Sequence, residues 1–436
     1  MSLLISSSTA DIMNSRPATE LVSSLKKQLD SRMTKMMSDE LLAMLCAFRN
    51  QLKDEIGHEA ETTKTLDAIT LQLDSACRPA DLIAACGTFQ QLVTVHFQKR
   101  GSTCSVETLC TAFREKLLQR TLKMAEEQLH EEGAILPQVR FTILASGSCG
   151  RRELSLNGGS SFFMIYDGSG KQCDEYFSEL AARMVATLKD CCIRIESHYS
   201  CIADQFWHGS IFSWQRMIEE HLQPPTSPHW LSMPVLPSLA TNPYPIPQEE
   251  VEFARMIETL ADLRPIAGDE NLAATLTDHA ALRLTAELKS DPFRHLAKRI
   301  ATMPVARSIF GWFRVIRSGE HRGEFNLEQL ALTPLLMTVR FMALRKGILG
   351  TGTSERIKSL CRGRQLDVEL AERLLSACHE FAVHRIKLEI SRNSGLEDLF
   401  FNPEELVDGE KERFKLGLEA VVNLQKLLYQ ELTETA

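Results

Sequence analysis

The sequence predicts an α+β protein in three parts. These are an N-terminal helical bundle over residues 1–130, a small mixed sheet with helices over residues 131–270, and a C-terminal helical domain over residues 271–436. Three observations predict it. Apolar residues recur three and four apart through most of the chain, the mark of helices with one buried face. The period changes at Val139–Leu144, and a short apolar, aromatic-rich run follows at Ser161–Tyr166; both read as strands. Eight of the sixteen prolines fall between Gln223 and Gln248, a density that bars helix and central strand and marks a connector at 223–248 inside the middle domain.

Taken in order, Leu21, Leu25 and Leu29, and later Leu109, Phe113, Leu117 and Leu118, give the first part its helical stripes. Breaks at Gly57, Arg78-Pro79 and Gly101-Ser102 divide it into four or more helices, whose apolar faces must find one another in a bundle. In the middle part the strand at Val139–Leu144 is followed by a Gly-Ser turn and an aromatic-rich strand at Ser161–Tyr166. A helix-like stretch at Glu175–Leu188 and a third strand candidate at Cys191–Glu196 come next. ARMIETLADLR places Ile257, Thr259, Ala261 and Leu263 on one face, which suits a fourth strand and also permits a helix. After Gly268 the helical period returns, interrupted at Gly319–Gly323, Gly347–Gly352 and Arg392–Pro403.

Composition narrows the function. With 49 basic against 57 acidic residues the net charge is −8, which argues against broad affinity for nucleic acid or anionic lipid. The twelve cysteines include no C-x-x-C pair and sit mostly in apolar helical patterns, as reduced thiols of a cytoplasmic protein do. No signal peptide and no apolar run approaching a membrane span is present. A membrane partner is therefore not expected.

The stretch GSCGRRELSLNGGSSFFMIYDG, 147–168, carries the chemistry. Gly147-Ser148 ends a strand, and a turn at Gly150 leads to a helix beginning at Arg151. Free backbone N–H groups there could meet an anion, with Gly147 and Gly150 allowing close approach and Ser148 adding a hydroxyl. Metal-dependent phosphoryl or nucleotidyl transfer would also need carboxylates to hold Mg²⁺. Asp-x-Asp at the start of the next strand would supply them, because alternate strand residues point the same way. The alternate positions here are Gly159 and Ser161.

This stretch resembles the nucleotidyltransferase signature Gly-Ser-x-Gly-Arg-x-Glu followed by Asp-x-Asp, of the PII-uridylyltransferase type in the polymerase-beta-like superfamily. It is more similar still to a bacterial family of nucleotidyltransferases often found behind CBS and cyclic-nucleotide-binding domains. Trp207-His208-Gly209-Ser210 with Trp214, and Ala261-Asp262-Leu263-Arg264-Pro265 with Gly268-Asp269, resemble further family segments. So do Phe310–Phe313, Leu332–Leu335, Arg340–Gly347 and Thr353–Arg356, in the helical domain that follows. The resemblance runs from about Gln128 to Ile390. It implies phosphate contacts from Gly147, Ser148, Gly150 and Arg151, and bracing of the loop by Arg151 and Glu153. It also makes Asp262 a retained acid, catalytic if the protein is active.

The departures weigh as much. Gly159 and Ser161 stand at the metal positions, and Asn326 and Glu328 stand where the family tends to have Asp and Lys. Neither glycine nor a serine hydroxyl replaces a carboxylate on Mg²⁺, and Asp167 lies at the far end of its strand. The expected protein is thus a catalytically degenerate, nucleotidyltransferase-like regulatory protein. It has a partner protein, a possible nucleotide ligand, no resident metal and no firm cofactor. The alternative is an active enzyme using Mg²⁺ and a nucleoside triphosphate to modify a PII-like regulator.

Plainer roles fit the remaining residues. Cys149 has no histidine near it in sequence, and Trp207 and Trp214 are read as packing. His379 and His384 lack the spacing of a helical zinc pair, and Asp278-His279 is not the order of metal phosphohydrolases. The basic group Arg356, Lys358, Arg362 and Arg364 reads as a solvated helix end.

Overall fold

The computed structural model describes residues 38–193, 207–222, 248–307, 311–392 and 399–434. The proline-rich connector at 223–247 lies outside them. Contacts divide the chain into two compact units, Met1–Arg120 and Thr121–Ala436.

The described part of the first unit is helical: α1 (Ser38–Ser75), α2 (Pro79–Arg100) and the opening turns of α3 (Thr103–Glu131). Gly57 does not break α1, contrary to the expectation from sequence. A glycine inside a helix costs only about 1 kcal/mol, which the rest of a 38-residue helix tolerates. Pro79 opens α2 where its missing N–H is harmless, and the Asp81 carboxylate accepts from the backbone N–H of Arg78 at 3.1 Å and of Cys77 at 3.2 Å. Leu82, Ala85, Phe89, Val93 and Phe97 bury one face of α2. Phe89 stacks on Phe113 with centroids 3.9 Å apart.

The second unit holds a four-stranded sheet. Its elements are β1 (Phe141–Ser146), the five-residue helix α4 (Gly147–Arg151), β2 (Ser161–Tyr166), α5 (Lys171–Asp190), β3 (Trp207–Ser210), α6 (Ile211–Leu222), α7 (Gln248–Ala261), β4 (Arg264–Gly268) and α8 (Glu270–Glu287). The strand order is β3-β2-β1-β4. β1 runs antiparallel to β2 and β4, and β2 parallel to β3. Every residue of SFFMIY in β2 is buried, because helices cover both faces, as a continuous apolar strand requires. Phe177 of α5 stacks on Tyr166 at 4.3 Å, and Trp214 of α6 meets Phe163, on the other face, at 5.5 Å.

Two strand assignments change. Cys191, Cys192 and Ile193 close the end of α5: their N–H groups bond the carbonyls of Thr187, Lys189 and Leu188 at 2.9–3.1 Å, with Cys192 left-handed at φ 56°. Residues 194–196 of that candidate lie outside the described part, and the third strand is instead WHGS. ARMIETLA is the end of helix α7, and the fourth strand begins only at Arg264. In β4 no side chain larger than glycine fits at Gly268, where a Cβ would stand 2.4 Å from the Phe141 carbonyl oxygen.

The helical remainder comprises α9 (Asp291–Ala301), β5 (Phe325–Asn326), a π-helical turn (Glu328–Leu332), α10 (Thr333–Arg345), α11 (Thr353–Arg362), α12 (Val368–Arg392), β6 (Phe400–Phe401), a 3₁₀ turn (Pro403–Glu405) and α13 (Asp408–Glu434). β5 and β6 pair antiparallel. One apolar core runs from Leu144 and Phe163 in the sheet through α7, α8 and α10 to Leu432 in α13. No described helix is long and apolar enough to cross a membrane.

Candidate functional site

β1 ends at the Gly-Ser turn, but the helix there is earlier and shorter than the sequence suggests. Gly147 and Ser148 are inside α4, which ends at Arg151, with Arg152 left-handed at φ 61°. Arg264 closes this turn, donating from Nε to the Gly150 carbonyl at 3.2 Å and from a terminal nitrogen to the Cys149 carbonyl at 2.9 Å. Gly150 is pressed against the end of α7, where a Cβ would stand 1.9 Å from the backbone oxygen of Asp262. The Ser148 hydroxyl donates to the Gly159 carbonyl at 3.1 Å. That bond draws the turn against the start of β2.

The two metal positions of the resemblance are close to the turn. Ser161 pairs with Ser146 in the β1–β2 register, and both Gly159 and Ser161 are buried. No carboxylate takes their place. Asp167 follows the other end of β2, bonds backbone to backbone with Arg140 and forms an ion pair with its guanidinium. Six residue steps along the chain put it about 20 Å from Ser161. Among the described residues no group of three His, Cys, Asp or Glu side chains is placed to share a metal ion.

Asp262, just past the end of α7, is fully buried and holds three guanidiniums. Its Oδ2 accepts from Arg151 at 2.7 Å and Arg340 at 2.5 Å, and its Oδ1 from Arg356 at 2.9 Å. Arg151 comes from α4, Arg340 from α10 and Arg356 from α11. Further acids balance the cluster: Glu153 accepts from Arg151 Nε at 2.7 Å, and Glu258 stands 3.4 Å from Arg340. Glu153 also accepts from the Thr353 backbone N–H at 2.5 Å and its hydroxyl at 2.9 Å, capping α11. Burial pushes the Asp262 carboxyl up, but Arg340, Arg151 and Arg356 outweigh it and hold the group well below the usual carboxylate range. Its oxygens are committed to arginine, which leaves none to ligate a cation.

The loop between α4 and β2 is fastened from α12. Glu389 accepts from the Ser155 hydroxyl at 2.7 Å and the Asn157 N–H at 3.4 Å, and Arg385 Nε bonds it at 3.1 Å. This tether holds the segment that leads to Gly159.

Other candidates stand apart from the turn. Trp214 is fully buried; the Trp207 side chain lies outside the described residues. Cys149 is buried. Asn326 accepts from the Gln329 N–H at 2.9 Å as a cap, and Glu328 stands 3.8 Å from Arg385. His384 is buried between Phe401 and Phe414, with centroids at 5.3 and 5.4 Å. Of the basic group on and just past α11, Lys358, Arg362 and Arg364 are exposed, while Arg356 is buried and belongs to the Asp262 cluster.

Sequence reasoning missed Arg340 and misplaced Arg356. A signal existed for Arg340. It sits in the middle of TPLLMTVRFMALR, flanked on both sides by apolar residues, and a charge so placed needs a buried counter-charge.

Comparison with known families gives two matches. Residues 87–228 match the family model described as Putative nucleotidyltransferase DUF294, and residues 290–432 match Putative nucleotidyltransferase substrate binding domain. Together they span well over half of the chain. No curated protein matches it.

Proposed function

From the premise that this chain belongs to the DUF294 nucleotidyltransferase family, we propose that it is a catalytically degenerate member acting as a regulatory protein through partner contacts. The observation that carries this reading is Asp262, the acid retained by resemblance, buried and saturated by three arginines. Gly159 and Ser161 supply no charge in its place. Metal-assisted transfer needs anionic oxygens on the ion, and the carboxylates beside the turn, Asp262 and Glu153, are engaged by arginine and by Thr353. Mg²⁺ and a nucleoside triphosphate would have to be held without them. The fold has kept the turn but uses its polar groups internally: Ser148 on Gly159, Arg151 on Asp262, and the carbonyls of Cys149 and Gly150 on Arg264.

The test is transfer of label from nucleoside triphosphates with Mg²⁺ or Mn²⁺ in the presence of cell extract. No transfer above background is expected, with the wild-type chain or with Ser148→Ala. Transfer that Ser148→Ala abolishes while the variant keeps its melting temperature would establish an active, PII-uridylyltransferase-like enzyme instead.

A further inference from the structure

The first unit leaves nearly half of its longest helix outside its bundle. α1 has 38 residues and α2 has 22. After the turn at Gly101-Ser102, α3 runs back beside α2, with His96 Nε2 2.8 Å from the Ser105 hydroxyl. Arg100, at the end of α2, pairs with Glu55 and Glu59 of α1. The bundle stops at that level, so Ser38–Asp54 stands beyond it by about 25 Å of helix. No residue from Leu42 to Gly57 is buried, and Leu42, Leu45 and Ile56 are 62 %, 44 % and 68 % exposed. Helices in proteins gain most of their stability by packing an apolar face, which this segment has yet to bury.

The projecting part carries on the seam that the bundle buries. Counting back from Leu73, the positions Ile69, Leu66, Thr62 and Glu59 fall three and four residues apart, and Thr62, Ile69 and Leu73 are buried. The same spacing continues through Glu55 to Leu52, Phe48 and Leu45, the a and d pattern of a coiled coil. The fitting occupant is therefore another helix with an apolar seam. Charge sets its direction. Asp39 and Glu40 lie in the first turn of the segment, whereas Arg49 and Lys53 outnumber Asp54 in its last two. A second copy laid antiparallel puts the acidic end of each beside the basic end of the other. The seam accepts the same operation: Leu45 of one copy meets Phe48 of the other, and the reverse, about a two-fold axis at Cys46-Ala47.

We propose that two copies of this chain associate through Ser38–Asp54, packed antiparallel on one another. Leu45, Phe48 and Leu52 form the apolar centre of the contact, and Glu40 of each copy faces Lys53 of the other. Parallel packing is disfavoured, because it sets Asp39 and Glu40 beside the same acids of the second copy. The contact is isologous, so it closes at the dimer.

The experiment is sedimentation equilibrium of the full-length chain across the micromolar range. A reversible dimer is expected. Phe48→Asp should weaken it at least tenfold, as loss of a central aromatic anchor does. Leu71→Asp, at a residue of α1 that is 70 % exposed and within the span of the bundle, should leave it unchanged. Glu40→Lys and Lys53→Glu should each weaken the dimer, and the two in one chain should restore it, which a folding defect would not do. The proposal is overturned if the chain is a monomer throughout the range, or if Phe48→Asp sediments as wild type does. A double variant that associates no more tightly than either single one overturns the antiparallel arrangement. A chain that dimerises only after residues 1–37 are removed carries its own N-terminal segment on this face, and that result overturns the proposal too.

Discussion

Asp262 keeps its charge in the interior because Arg340, Arg151 and Arg356 surround it, and each arginine in turn depends on it. Removing one member of a buried ion cluster leaves the others uncompensated, at a cost of about 3–5 kcal/mol. Asp262→Asn should lower the stability of the second unit by that amount in urea denaturation; an unchanged midpoint would refute the structural role. Gly150 is held by sterics instead. Gly150→Ala, with its Cβ driven to 1.9 Å from a carbonyl oxygen, should destabilise by about 3 kcal/mol or more, as strained core substitutions do. Gly57→Ala meets nothing within 4 Å on a long helix and should stabilise by about 0.4–1 kcal/mol. Thermal melts of the two variants should therefore move in opposite directions.

At the scale of elements, how much could be read depended on length and on single-period patterns. SFFMIY was legible because a short apolar, aromatic-rich run suits a covered strand, and all six residues are buried in the structure. ARMIETLADLR was not, because α7 ends and β4 begins within a few residues. The alternating apolar positions there belong to a helix face that the same residues describe at a different period. WHGS is too short to show any period, and becomes a strand only by pairing alongside β2. Helix starts were better marked. Asp269 caps α8, its carboxylate accepting from the Leu272 N–H at 2.7 Å. Asp269→Ala should cost about 1 kcal/mol in urea denaturation, and Asp269→Asn should recover most of it.

For the molecule as a whole, acid should be the most revealing stress. In the first unit His96 is buried, with Nε2 2.8 Å from the Ser105 hydroxyl and its ring stacked on His58 at 5.4 Å. Burial, then Arg100 and His58, push it down to about 4. The folded chain therefore binds this proton less readily than the unfolded chain does. Stability is full above about pH 6.5 and is lost as pH falls from there towards 4, by at most about 3 kcal/mol. His96→Phe should flatten that slope in denaturant titrations across the range; an unaltered slope would exclude His96 as its source.

The candidate site was half legible for a related reason. Gly147, Ser148, Gly150 and the missing acids at Gly159 and Ser161 are local in sequence, and the structure brings them to one turn. The fate of Asp262 was not, because its partners come from residues 151, 340 and 356 and meet only through the packing of α4, α10 and α11. That arrangement works as a ratchet. Aspartates placed at positions 159 and 161 would add two anions to the turn, but Asp262 would stay locked until the arginines around it changed as well. Each of those changes, made alone, would strip a buried charge of its partner. Any change that frees Asp262 for other chemistry would therefore pass through a less stable intermediate.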